Sequence, residues 1–198
     1  DFPFEDRSKL TRWSDVATSN EDNGIFISEE EKRIELMECL QYFTALWQER
    51  KKTEGGCDFI SMLAQGEATQ SMDPTEFLGN LILLIVGGND TTRNSISGGV
   101  YALNKFPEEY EKLRSNPQLI PNMVSEIIRW QTPLSYMRRT VLQETEIRGQ
   151  KIQKGDRVLM WYASGNRDEA VFEDADRLII DRKNARQHLA FGFGIHRC

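Results

Sequence analysis

The sequence predicts a mostly α-helical fold with a minor β-sheet. Three observations carry this expectation. Helix caps and apolar residues spaced three and four apart dominate the first two thirds of the chain. Strand composition punctuated by turn glycines begins after Pro133. A glycine-bearing loop then runs to Cys198.

Taken in order, residues 5–18 place Leu10, Trp13, Val16 and Ala17 at helical spacing. Ser28, with Glu31 three residues later, forms a capping box that opens a helix to about residue 52. Ile34, Leu40, Phe43 and Trp47 are expected on its inward face. Gly55-Gly56 ends it, and a short helix follows over 58–65. Asp73 is a good N-cap, Pro74 suits the first helical position, and Glu76 completes a second box. That long helix should reach Phe106, because Pro107 disfavours helical backbone in the residue before it. Residues 81–86 are apolar on every face, so this helix should cross a core. Shorter helices are expected over 107–114 and 121–131. Strands are expected over 137–142, 145–147 and 157–162, with turns at Gly149 and Gly155. Residues 165–188 read as a polar, loop-like segment.

Composition narrows the class. The 198 residues suffice for one domain with a core, and 39% apolar with 28% charged residues fits a globular chain. A net charge of -6 argues against a nucleic-acid partner. The strongest apolar run, 81–86, is far short of the roughly 20 residues of a membrane span, so no membrane anchor is seen in these residues. Cys39, Cys57 and Cys198 have no metal or redox spacing, which points to a reducing, cytoplasmic compartment. Two histidines and no Cys-x-x-Cys make structural zinc improbable.

Four stretches carry chemistry. The first is Phe191-x-x-Gly194-x-His196-x-Cys198, where glycines permit tight turns and Arg197 with turn amides offers donors to a thiolate. Alone, it also fits a glycine loop beside an inert buried cysteine. The second is Gly87-Gly88-Asn89-Asp90-Thr91, inside the long helix. Paired helical glycines cost about 1 kcal/mol each relative to alanine, and an acid beside an apolar run is costly too. A helix kink with a solvated Asp accounts for the same string. Third, Glu126 and Arg129 share a helical face at i,i+3, as many surface ion pairs do. Fourth, Arg138 and Arg139 open the first strand stretch, where two solvated arginines would be ordinary.

Together, in this order and with these gaps, the four stretches resemble the cytochromes P-450, haem-thiolate monooxygenases. The likeness covers nearly the whole chain. It implies a partial cytochrome P-450 fold: a long central distal helix, a Glu-x-x-Arg helix, a small sheet and the Cys loop. Residues 1–198 are then expected to be one haem-thiolate monooxygenase domain truncated at both ends. The strings Pro3-Phe-Glu-Asp6, Leu10-Thr-Arg-Trp-Ser-Asp15 and Ile128-Arg-Trp-Gln-Thr-Pro133 look like those of the bacterial soluble alkane and fatty-acid terminal hydroxylases.

What the resemblance implies for the site follows residue by residue. Cys198 is the axial thiolate of a haem b iron, with Phe191 and Gly194 shaping its loop. His196 meets a propionate, as does Arg139 or the adjacent Arg138. Gly87 and Gly88 leave room for dioxygen, and Asp90 with Thr91 forms an acid-alcohol pair that relays protons. Arg182 joins Glu126 and Arg129 in clamping the loop behind the haem. Leu83, Val86 and residues 134–137 are expected to wall an apolar pocket. The implied substrate is a small apolar alkyl compound, with dioxygen as co-substrate. Electrons are expected from a ferredoxin with an NAD(P)H-dependent reductase. Arg177, Arg182, Lys183, Arg186 and Arg197 against Asp181 make a locally basic face suited to that acidic partner. A peroxide-using relative, or a haem sensor or carrier, is disfavoured because neither needs Asp90 and Thr91.

Overall fold

The computed structural model describes residues 2–19, 28–53 and 55–198, with the side chain of His196 excepted. Two compact units divide the chain between Asp90 and Thr91.

The first unit is helical. A 3-10 turn, Phe4–Asp6, leads into α1 (Arg7–Thr18), and α2 (Glu29–Arg50), α3 (Phe59–Gln65) and the first half of α4 (Pro74–Lys105) follow. The caps read from sequence form as hydrogen bonds. Ser28 accepts from the Glu31 amide at 3.2 Å, and Asp73 accepts from Thr75 and Glu76 at 2.8 and 3.1 Å. Asp58 caps α3, and the Ser61 hydroxyl on its carboxylate holds its pKa down at about 2. Trp13, Cys39, Phe43, Trp47, Phe77 and Leu81 form the core, with Trp47 and Phe77 stacked 4.5 Å apart.

Two sequence expectations fail in this unit. Ile34 is exposed rather than inward. It lies nine residues before Phe43, which at 100° per residue is the opposite side of α2. The run 81–86 is not covered all round: Leu81 is 2% exposed but Leu83 is 72% exposed. The described core meets only the stripe of α4 that carries Phe77 and Leu81, with Ile82 and Ile85 at its edge.

The second unit holds the rest of α4, then α5 (Pro107–Ser115), a 3-10 turn (Pro117–Leu119) and α6 (Ile120–Gln131). After these come β1 (Tyr136–Thr140), β2 (Thr145–Ile147), β3 (Gln150–Ile152), β4 (Arg157–Trp161) and α7 (Tyr162–Gly165). The expected small sheet is two separate antiparallel ribbons, β1-β4 and β2-β3. Strand β3 was not expected, because Gln150-Lys151-Ile152 lacks strand composition. It is set by the hairpin turn, where Arg148 and Gly149 both take positive φ, 51° and 80°. Gly99 lets α4 and α6 approach, since a Cβ there would lie 2.9 Å from Ile127 Cδ1.

The polar, loop-like reading of 165–188 holds for the backbone, which is mostly irregular. It misses the burial. Phe172, Ala175, Leu178, Ile180 and Ala185 are all buried, and Leu178 and Ile180 pack on Ala102, Ile127 and Trp130. The segment is core without regular secondary structure, so its backbone groups need side-chain partners.

Candidate functional site

Those partners come from one buried cluster. Glu126 and Arg129 project from one face of α6, and both are fully buried. Arg129 Nε and Nη2 donate to the two Glu126 oxygens at 2.7 and 2.8 Å. Its remaining N–H groups reach the carbonyls of Asn166, Ala175 and Arg177 at 2.7–2.9 Å. Arg182 closes the cluster, with Nε 3.0 Å from Glu126 Oε1 and the other end on the carbonyls of Glu173 and Asp174. Glu126 also accepts the Ile179 amide at 3.0 Å. A guanidinium has five donors in a rigid fork, and Arg129 uses all five here. Removing one member of such a cluster leaves a buried charge unpaired, which typically costs about 3–5 kcal/mol. The surface-pair alternative for Glu126 and Arg129 is therefore wrong, and their role as a clamp on 166–182 is seen directly.

Sequence reasoning missed residues around this cluster. Asn166 is fully buried, donates to Thr132 Oγ1 at 2.9 Å and accepts the Leu189 amide. It ties α6 to the start of the final loop. His188 is buried, accepts the Ala190 amide at 3.3 Å and sits edge-on to Phe191. Burial, with help from Arg197 and Arg129, pushes its pKa below the usual 6.5, so it is held neutral. No local sequence signal marks either residue, because both sit in the polar stretch.

The final loop folds back on itself. The Cys198 amide donates to the Phe191 carbonyl at 2.8 Å, and the Arg197 amide to the Gly194 carbonyl at 3.1 Å. Gly194 takes φ +80°, and a Cβ there would meet nothing within 4 Å. Its positive φ is the backbone conformation that glycine adopts without strain. Cys198 is exposed and unbridged, whereas burial drives the Cys39 thiol up to about 12. Cys57 is exposed as well, so exposure excludes Cys39 alone, and of the two accessible thiols only Cys198 lies on the glycine-bearing loop. The His196 side chain lies outside the described residues.

Thr91 and Phe191 meet across a groove of about 490 Å³, with Ser95, Gly99, Met123 and Ile127 between them. Asp90, the preceding residue, accepts a hydrogen bond from Ser14 Oγ at 2.8 Å. Gly88 lines a different cavity of about 560 Å³ in the first unit, with Leu81, Leu84 and Ile85. Gly87 lines neither. Leu83 and Val86 are absent from that lining, because residues 81, 84, 85 and 88 share one helical stripe and 83 and 86 do not. Leu134 and Met137 are exposed, and Pro133 lines the groove instead.

Arg138 and Arg139 alternate on β1, paired with Leu159 and Val158 of β4. Successive strand residues face opposite ways, so the ribbon presents one of them to each side. Arg138 is exposed and Arg139 half-buried, and neither lines the groove. The basic face is smaller than expected. Arg182 is buried in the cluster, and Arg177 pairs with Glu108 at 2.6 Å. Lys183, Arg186 and Arg197 remain exposed. Among the described residues, no helix is long and apolar enough to cross a membrane.

Comparison with known proteins places this arrangement. The cytochrome P450 family model matches residues 25–198. Linalool 8-monooxygenase from Pseudomonas putida is 40% identical over 96% of this chain and 47% of its own length. A methyl-branched lipid omega-hydroxylase from Mycobacterium bovis is 37% identical over 98% of the chain and 45% of its own length. The solved structure of a cytochrome P450-153 from Novosphingobium aromaticivorans superposes with a TM-score of 0.84 at 50% identity, covering 96% of this chain and 46% of that one. The chain thus spans about half the length of the relatives it matches. With the buried Glu126-Arg129-Arg182 cluster, the folded loop up to Cys198 and a family match over 25–198, this chain belongs to the cytochrome P450 family.

Proposed function

We propose that the protein carrying this chain is a haem-thiolate monooxygenase that inserts one oxygen atom of dioxygen into an unactivated C–H bond. Its substrates are medium-length alkanes or fatty acids, oxidised at or near the chain end. The observation that carries this reading is the groove joining Thr91 to Phe191, whose carbonyl anchors the Cys198 amide.

The donor set fits a haem. Cys198 offers an exposed thiol at the end of a loop shaped by Gly194, and Phe191 offers an aromatic face beside it. Cys198 is the ligand in this reading, and Arg139 and His196 serve the propionates. Held through the Cys198 thiolate, haem iron would supply O–O bond cleavage. The chain's own residues do the rest. Thr91 holds a hydroxyl at the groove wall, where it can fix an ordered water. Asp90 supplies that water with protons. Gly87 and Gly88 keep side chains away from the neighbouring turn of α4, where a Cβ would meet nothing within 4 Å.

The end-of-chain preference rests on the subfamily strings in the sequence and on the omega-hydroxylase among the relatives. Electrons come from a ferredoxin and an NAD(P)H-dependent reductase, with Lys183, Arg186 and Arg197 as the cationic contacts. The proposed location is the cytoplasm.

Four measurements on the complete protein test this reading. A carbon monoxide difference spectrum of thiolate type is expected. Affinity across an n-alkane series should rise with length, each buried CH₂ contributing about 0.8 kcal/mol until the pocket is full. Thr91→Ala should keep haem and substrate binding and still consume NADH, but release mostly hydrogen peroxide in place of product. Asp90→Asn should slow the whole cycle, since positioned acid–base groups contribute about 10²–10⁴-fold. A fully coupled Thr91→Ala enzyme overturns the acid-alcohol assignment, and a preference for polycyclic substrates with no response to octane overturns the substrate class.

A further inference from the structure

We propose that Ser14 is a positioning residue for Asp90, holding the carboxylate through its hydroxyl so that proton supply stays aligned. The inference rests on the reading of Asp90 as the proton-supplying acid. The two residues are 76 apart in sequence, and the Ser14 Oγ–Asp90 Oδ2 distance is 2.8 Å. Ser14 is fully buried, while Asp90 is only partly covered.

The asymmetry is informative. A buried hydroxyl requires a partner, and Ser14 spends its single donor on Asp90 Oδ2. The helix that carries it is anchored, since Trp13 and Val16 on either side are buried as well. Ser14 therefore presents its donor from a fixed point. One oxygen of the carboxylate is held from the α1 side, which restricts rotation about the Cβ–Cγ bond and biases where the other oxygen points. A carboxylate that must receive and pass protons along a defined line gains from that restriction, because misalignment by an ångström is costly in proton transfer. The Asp90 carboxyl is then set by α1 as well as by its own helix.

The test uses the complete protein with Ser14→Ala, Ser14→Thr, Ser14→Cys, Asp90→Asn and the Ser14→Ala/Asp90→Asn double variant. Urea midpoints are measured for all, and kcat and KM for the best-turned-over member of an n-alkane series. The hydrogen bond predicts that Ser14→Ala and Asp90→Asn shift the midpoint less than additively in the double variant. Positioning predicts that Ser14→Ala lowers kcat about tenfold, a fraction of the full acid–base contribution, with KM nearly unchanged and an enlarged solvent deuterium isotope effect. Ser14→Thr, which keeps the hydroxyl, should recover most of the rate. Ser14→Cys keeps the volume with a poor donor and should match Ser14→Ala, so it decides the matter if the alanine variant does not fold. Strictly additive midpoints overturn the bond. Wild-type kcat in Ser14→Ala or Ser14→Cys, alongside a slow Asp90→Asn, overturns the positioning role alone. Wild-type kcat in Asp90→Asn overturns the underlying reading of Asp90 instead.

Discussion

His188 shows what a single buried residue does in this chain. Its imidazole accepts the Ala190 amide and packs against Phe191, so it is useful only when neutral. Burial depresses its pKa below 6.5 in the folded state, while the unfolded chain titrates near 6.5. As pH falls through 6.5, the unfolded state takes up the proton first. Stability is therefore full above 6.5, declines below it, and levels off under the folded pKa. Urea melts of the complete protein between pH 5 and 8 should show this decline. His188→Gln should be less stable at pH 8 yet flatter over the same range. A decline of equal slope in the variant assigns the effect to other groups.

At the scale of elements, the chain ends its regular structures by different means. Helices α2, α3 and α4 start at side-chain caps on Ser28, Asp58 and Asp73, whereas α5 and α6 carry a proline in their first turn and no side-chain cap. The final loop depends on backbone conformation instead. Gly194 at φ +80° holds the turn that returns the Cys198 amide to Phe191. Alanine in the left-handed region costs about 1–2 kcal/mol, and no neighbour would clash with its Cβ. Gly194→Ala should therefore lower haem affinity several-fold while leaving the helical circular dichroism unchanged. Gly194→Asn should lose less, because asparagine tolerates this region better. Haem titration of the wild-type apoprotein and the two variants checks the ordering, and equal affinity for all three would show that the turn does not shape the cysteine's position.

For the molecule as a whole, the second unit is held together by charge as much as by apolar packing. The cluster of Glu126, Arg129 and Arg182 satisfies the carbonyls of 166, 173, 174, 175 and 177, a stretch with almost no regular structure. Glu126→Gln leaves two buried guanidinium groups short of a counter-charge. Loss of about 3–5 kcal/mol is expected, which is a large part of a typical domain's stability. The complete Glu126→Gln protein should accumulate as haem-free material, read from the ratio of haem absorbance to protein. Arg182→Lys should also fail, since an ammonium cannot span the Glu126 carboxylate and two carbonyls with a planar fork. Normal haem content in both variants would show that the cluster is dispensable.

The sequence by itself determined α1 to α6 and roughly where they begin, because caps and prolines act over three or four residues, but it missed α7, whose Tyr162 it reads as strand. It also pointed to the family through strings such as Phe191-x-x-Gly194-x-His196-x-Cys198. Local pattern was less reliable about facing. Ile34 and Leu83 look like core, yet which side of a helix is covered depends on what packs there. The tertiary structure alone decided that the polar stretch 165–188 is interior, since its aspartates, arginines and irregular backbone are read as surface until Arg129 and Arg182 are seen to satisfy them. It alone paired Ser14 with Asp90, 76 residues away, and reduced the basic face to Lys183, Arg186 and Arg197 by burying Arg182 and pairing Arg177 with Glu108. The physical reason is common to all of these. Capping and turn formation are local interactions that a short window of sequence contains, whereas burial and charge pairing are settled by residues that only the folded chain brings together.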